Sequence, residues 1–253
     1  MNAALQIPEN ASYKRVFVLA SSHQYHFKGA SVYTLGNYET PLGEIEVDQK
    51  LGEKLAASSA IFKHKTEAHT NEHSLEVQLP FLQYKLGNNF KLVPIILGTN
   101  NAKDCKELAK ALIPYFTTEN LFVISTDFSH YPAYDDANKI DFITANSICR
   151  NQPEELVATL ELNPNSLVEN LSTSLCGWTS VLTLLYLTQG KSYQFSQIDY
   201  QNSGDEKNYG DFNGVWSGGY NISNIGPKVS YSDDGQDNFI PTNMKVGGGF
   251  DFI

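Results

Sequence analysis

The sequence predicts an α/β fold with a mainly parallel central sheet and helices on both of its faces. Two observations carry this expectation. Short runs rich in β-branched and aromatic residues recur along the chain, and helical patterns of ten or so residues lie between most of them, as in successive βαβ units. Runs such as Val16–Ala20 and Leu92–Leu97 also read as strands buried on both faces, which a parallel sheet covered by helices requires.

Taken in order, strands are predicted at Val16–Ala20, Leu92–Leu97, Leu121–Ser125, Tyr193–Tyr200 and Val215–Ile222, each bounded by Gly, Asn, Ser or Asp. A helix is expected within Val47–Phe62, where Leu51, Leu55 and Ala56 share one face. Another follows at Leu75–Leu86, whose leucines recur at intervals of four, three and four. Pro80 falls inside that pattern and predicts a kink or a short first turn. Further helices are expected at Ala102–Phe116, Ala133–Arg150, Pro153–Leu160 and Gly177–Thr188. Residues 226–253 are dominated by Ser, Asp, Gly, Asn and Pro, ending in Gly247-Gly248-Gly249, and read as a polar tail or linker beyond one domain ending near residue 225.

The 253 residues carry 18 Lys and Arg against 28 Asp and Glu, a net charge of −10. Only two arginines are present, Arg15 and Arg150, and the lysines are scattered among acids, so nucleic acid is excluded as an expected partner. No apolar run approaches the roughly 18 residues of a membrane span, and the first fourteen residues lack the apolar core of a signal peptide. Three unevenly spaced cysteines, with no CxxC, point to a reducing cytoplasm.

The histidines are the informative feature. The first strand runs into His23, and the third into Asp127 and His130; ligands of open parallel sheets bind outside the carboxyl ends of the strands. His23 alone reads either as a polar strand cap or as a site residue. Asp127 with His130 reads as an orienting carboxylate on an imidazole, as an acid/base pair, or as a turn cap. His69 and His73 have the spacing of a metal grip on one helical face. Thr70 and Asn71 look like helix caps, which would leave His69 before the helix and Glu72 with His73 in its first turn, where Glu72 gains from the positive helix end. Cys176 opens the apolar helix that begins at Gly177, a position that favours a thiolate for metal ligation or nucleophilic attack. Cys105 and Cys149 lie inside ordinary amphipathic helices and read as inert.

These segments occur in a characteristic order: Ser21-Ser22-His23, Thr40-Pro41-Leu42-Gly43 with Val47-Asp48, then Glu72-His73-Ser74-Leu75-Glu76-Val77-Gln78-Leu79-Pro80-Phe81. Ser125-Thr126-Asp127-Phe128-Ser129-His130, Cys176-Gly177, Asn202-Ser203-Gly204-Asp205 and Gly219-Tyr220 follow. Over roughly residues 15 to 223 the chain resembles the Memo family, also called AmmeMemoRadiSam system protein B. The resemblance implies a fold similar to class III extradiol ring-cleaving dioxygenases, with a non-haem metal at the carboxyl edge of the sheet. His23 and Cys176 match the family's metal-binding His and Cys. Asp127 and His130 match the pair lining the same cleft and Glu72 and His73 fall on its rim, and the resemblance implies these four as the catalytic residues. The family's upstream Pro-His-Ala-Gly-Tyr segment is absent, so the resemblance implies a shortened member or a different third ligand among His26, His73 and His130. Iron is the expected metal, with copper or zinc as alternatives. Two roles are implied: a metal-binding accessory or redox protein working beside partner proteins, or an iron-dependent dioxygenase acting on a small aromatic substrate. A third reading makes Cys176 a nucleophile with His130 as base and Asp127 as orienter.

Overall fold

The computed structural model describes residue 4, residues 6–70, 72–162 and 168–205, and the pairs 229–230 and 237–238. Its centre is a five-stranded sheet of order β5-β2-β6-β1-β7, formed by β1 (Arg15–Ser21), β2 (Ala30–Val32), β5 (Phe62–Lys63), β6 (Lys91–Leu97) and β7 (Asn120–Ser125). β1 pairs in parallel with both β6 and β7, whereas β2 runs antiparallel to β6 and carries β5 parallel at the edge. The α/β expectation is met, with a sheet that is mixed but mostly parallel. A small hairpin of β3 (Tyr38–Thr40) and β4 (Gly43–Ile45) lies outside it.

Alternation along β1 and β6 explains why both faces are covered. Phe17, Leu19, Val93, Ile95 and Leu97 pack on one side against α1 (Gln49–Ser58), α4 (Ala102–Leu112) and α7 (Trp178–Thr188). Val16, Val18, Ala20, Leu92 and Ile96 face the other side, where Leu75 of α2 (His73–Glu76) and Leu79 and Leu82 of α3 (Leu79–Leu86) meet them. Helices α5 (Tyr134–Cys149) and α6 (Pro153–Leu162) complete the first layer through Ile148 and Leu156. The Leu75–Leu86 pattern is split into two helices, with Pro80 in the opening turn of the second, where its missing N–H is harmless.

Three sequence expectations need correction or restriction. Tyr193–Tyr200 forms no ladder; side chains hold it instead, with Tyr193 edge-on to Phe116 and Tyr200 bonded to Asp141. The predicted strand Val215–Ile222, and with it the boundary at 225, lies outside the described residues. Within 226–253 the structure describes only Val229–Ser230 paired antiparallel with Asp237–Asn238. Pro94 sits in a strand that is central to the sheet, contrary to the usual edge preference. It shares the parity of Leu92, whose N–H bonds to Glu46 on the side away from β1, so no β1–β6 bond is lost.

Candidate metal centre

The paired ends of β1 and β7, Ala20 opposite Ser125, deliver His23 and Asp127 to one edge of the sheet. The N-terminus of α7 brings Cys176 there from much later in the chain. Asp127 and Cys176 clasp each other: the Cys176 N–H donates to the Asp127 carbonyl at 3.0 Å, and the Asp127 N–H donates to Cys176 Sγ at 3.2 Å. The Gly177 N–H donates to Thr126 Oγ1 at 2.8 Å. This approach needs glycine, because a Cβ at Gly177 would lie 2.6 Å from Thr126 Cβ. A two-residue antiparallel bridge adds His130: its N–H donates to the Thr173 carbonyl, and the Ser172 N–H returns to the His130 carbonyl, each at 3.0 Å.

Asp127, His130 and Cys176 thereby form a cluster whose carboxylate, imidazole and sulfur atoms all lie within 4.8 Å of one another, with His130 Nε2 3.5 Å from Asp127 Oδ2. His23 lines the same cleft as this cluster. Its Nδ1 lies 3.1 Å from Glu72 Oε1, and its backbone N–H donates to Glu72 Oε2 at 2.6 Å. Ser21, Ser74, Val77 and Tyr131 help to line the cleft around these groups, whose volume is about 410 Å³. Tyr131 holds a left-handed backbone, φ 71°, which is costly for an aromatic residue and common beside functional sites.

The electrostatics follow from the contacts. The hydrogen bond with Cys176, then that with Glu72, outweigh burial and push His23 up to about 10. Burial works against ionising Cys176, but hydrogen bonds from His130 and His23 bring the thiol below its usual value. By contrast, burial pushes Cys105 up to about 12, in keeping with the inert role read from its helix.

Glu72 caps α2 directly, accepting the Ser74 N–H at 3.1 Å, rather than standing in its first turn. Thr70 bonds back to the Thr66 carbonyl in the preceding 3₁₀ turn, and Asn71 lies outside the described residues. His73 borders the cleft with a largely exposed side chain paired to Glu76 at 2.6 Å. His69 turns elsewhere, to Ser31 Oγ at 3.1 Å, and burial lowers it to about 4, so His69 and His73 do not form the grip their spacing suggested. His26 is exposed and does not line the cleft. Of the three candidate third ligands, His130 is the one whose ring lies with Cys176.

Sequence reasoning missed Asp141. This buried carboxylate accepts the Ser129 N–H at 2.9 Å and the Tyr200 hydroxyl at 2.8 Å. Asn202 Nδ2 donates to Tyr200 Oη, so the Asn202–Asp205 segment is tied to the loop bearing His130.

The description Memo-like protein belongs to a family model that matches residues 2–212. The chain belongs to the Memo family. A MEMO1 family protein of Thermoplasma volcanium is 30% identical over 203 residues, covering 79% of this Memo chain and 71% of its own length. One from Methanopyrus kandleri is 29% identical, with 79% and 69% covered. The crystal structure of the uncharacterized protein JW3007 of Escherichia coli K12 superposes with a TM-score of 0.52 at 16% identity, over 78% of this chain and 83% of that one, a likeness of fold. A second model, type IX secretion system protein PorV, matches residues 188–253, most of which lie outside the described residues.

A thiol, an imidazole and a carboxylate form a donor set that suits iron, copper or zinc better than magnesium or calcium. First-row metals bind such atoms at about 2.0–2.3 Å, which places the donors at most about 4.6 Å apart. The cluster's donor atoms, all within 4.8 Å of one another and with His130 Nε2 3.5 Å from Asp127 Oδ2, are compatible with that spacing, and the donor chemistry fits. No helix among the described residues is long and apolar enough to cross a membrane.

Proposed function

We propose that this Memo family chain binds one first-row metal, iron foremost, through Cys176, His130 and Asp127 with His23 as a fourth donor. We further propose that it serves as an accessory or redox protein beside partner proteins rather than as a nucleic-acid or membrane binder. The observation that carries the reading is the convergence of these side chains from two adjacent strand ends and one helix entrance. Iron or copper held there supplies one-electron redox chemistry, and zinc supplies a Lewis acid. The chain itself contributes a lowered thiol, an acid–imidazole pair and a cleft walled in part by Val77 and Tyr131. Its described cysteines are all free, which suits a reducing cytoplasm.

Metal analysis by mass spectrometry on anaerobically purified protein tests the proposal. One equivalent is expected in the wild type, with loss in Cys176→Ala and His130→Ala; unchanged content in both variants would refute it. The cleft has room for a small aromatic ring, which supports a second reading as an iron-dependent dioxygenase. Oxygen uptake by the iron-loaded chain across a catechol panel would establish that reading. Full iron occupancy without uptake favours the accessory role.

A further inference from the structure

Glu72 heads α2 with its side chain only 4% exposed, and the chain itself engages both carboxylate oxygens. Oε2 accepts the His23 backbone N–H, while Oε1 accepts the Ser74 backbone N–H and faces His23 Nδ1. An ionised carboxylate only accepts, so the proton in the contact with the ring sits on Nδ1. His23 is thus gripped at two points, its own amide and Nδ1. That leaves Nε2 for a cation bound in the cleft that His23 and Cys176 both line.

We propose that Glu72 is a positioning residue that keeps His23 protonated on Nδ1 and turned so that Nε2 is the atom offered to a metal at the Cys176 cluster. The inference rests on the metal-binding reading above and assigns Glu72 a different role from the catalytic one expected from sequence. A buried carboxylate engaged by three donors of the protein is poorly placed to exchange protons with a substrate. Outer partners of this kind fix the tautomer and orientation of metal-binding histidines. Glutamine in its place keeps the shape but supplies one acceptor oxygen for three donors.

The test uses the full chain with Zn(II) as probe and the variants Glu72→Gln and His23→Ala. Affinity is read by chelator competition, and the His23 ring is read in ¹H–¹⁵N spectra with and without zinc. Both variants are expected to bind zinc about 10- to 100-fold more weakly than wild type. The wild-type spectrum is expected to show a slowly exchanging His23 Nδ1–H that is lost in Glu72→Gln. Wild-type affinity in Glu72→Gln, or a zinc-loaded wild type with its His23 proton on Nε2, would overturn the proposal. Should the wild type take up no zinc, the metal reading fails and the metal-free spectra decide alone. An Nδ1–H that disappears in Glu72→Gln then supports the clamp, and one that persists unchanged overturns it. If the variant does not fold, the zinc-loaded wild-type spectrum settles the matter, by whether the remaining His23 ring proton is on Nδ1 or on Nε2.

Discussion

Burial drives the Glu72 carboxyl upward, yet hydrogen bonds from the His23 ring, the His23 amide and the Ser74 amide outweigh it and hold the group at about 2. A depressed carboxylate stabilises the fold above its ordinary value of 4.5, and that contribution disappears as pH falls through about 2. At about 1.4 kcal/mol per unit, the shift corresponds to about 3 kcal/mol. Urea unfolding followed as the pH is lowered from neutrality to about 2 is expected to lose this amount, and Glu72→Gln to flatten the dependence. His23 behaves in the opposite sense: held up to about 10, it contributes fully below 6.5 and loses that contribution as pH rises through about 10. Gly177 offers a separate test. Its Cβ-free contact with Thr126 leaves no room for a methyl group, so Gly177→Ala is expected to cost about 1–3 kcal/mol, read as a lower denaturant midpoint.

Among the elements, the loop bearing His130 depends on a tether from a distant segment. Tyr200 donates to the buried Asp141, which also holds the Ser129 amide. Tyr200→Phe leaves that carboxylate one donor short, with an expected cost of about 1–3 kcal/mol and faster hydrogen exchange at the Ser129 amide. This tether also marks where the sequence ceases to be legible. Val16–Ala20, Leu92–Leu97 and Leu121–Ser125 were readable because continuous apolar runs carry their own signal. The three-residue β2 and two-residue β5 are too short to carry one, and their pairing depends on neighbours far along the chain. Tyr193–Tyr200 has strand-like composition, but its aromatic rings are engaged in side-chain contacts instead of a ladder. The edge carrying His23, Asp127 and Cys176 was legible from strand ends and motif order. The roles of Asp141 and of Glu72 as a helix cap were not, since each is defined by partners that only folding brings near.

For the molecule as a whole, the donor side chains come from early, middle and late parts of the chain and meet only in the folded state. A cation that binds there and not to the unfolded chain stabilises the fold by mass action, by about 2.7 kcal/mol at a hundredfold excess over Kd. For a chain of this size the melting temperature should rise by roughly 5–10 °C on adding the metal. The rise should vanish in Cys176→Ala. Differential scanning calorimetry at several metal concentrations checks both outcomes. The ladder between β1 and β7 has a further consequence. His23 and Asp127 leave neighbouring parallel strands a few residues beyond the last paired positions, so slipping one strand by a single residue would displace one donor past the other by about 3.3 Å and turn alternate side chains to the wrong face. The distance between imidazole and carboxylate is therefore gauged by backbone hydrogen bonds within the buried sheet. Under the proposed metal reading, substitutions deep in the sheet, such as at Phe17 or Phe122, are expected to weaken metal binding without touching the rim.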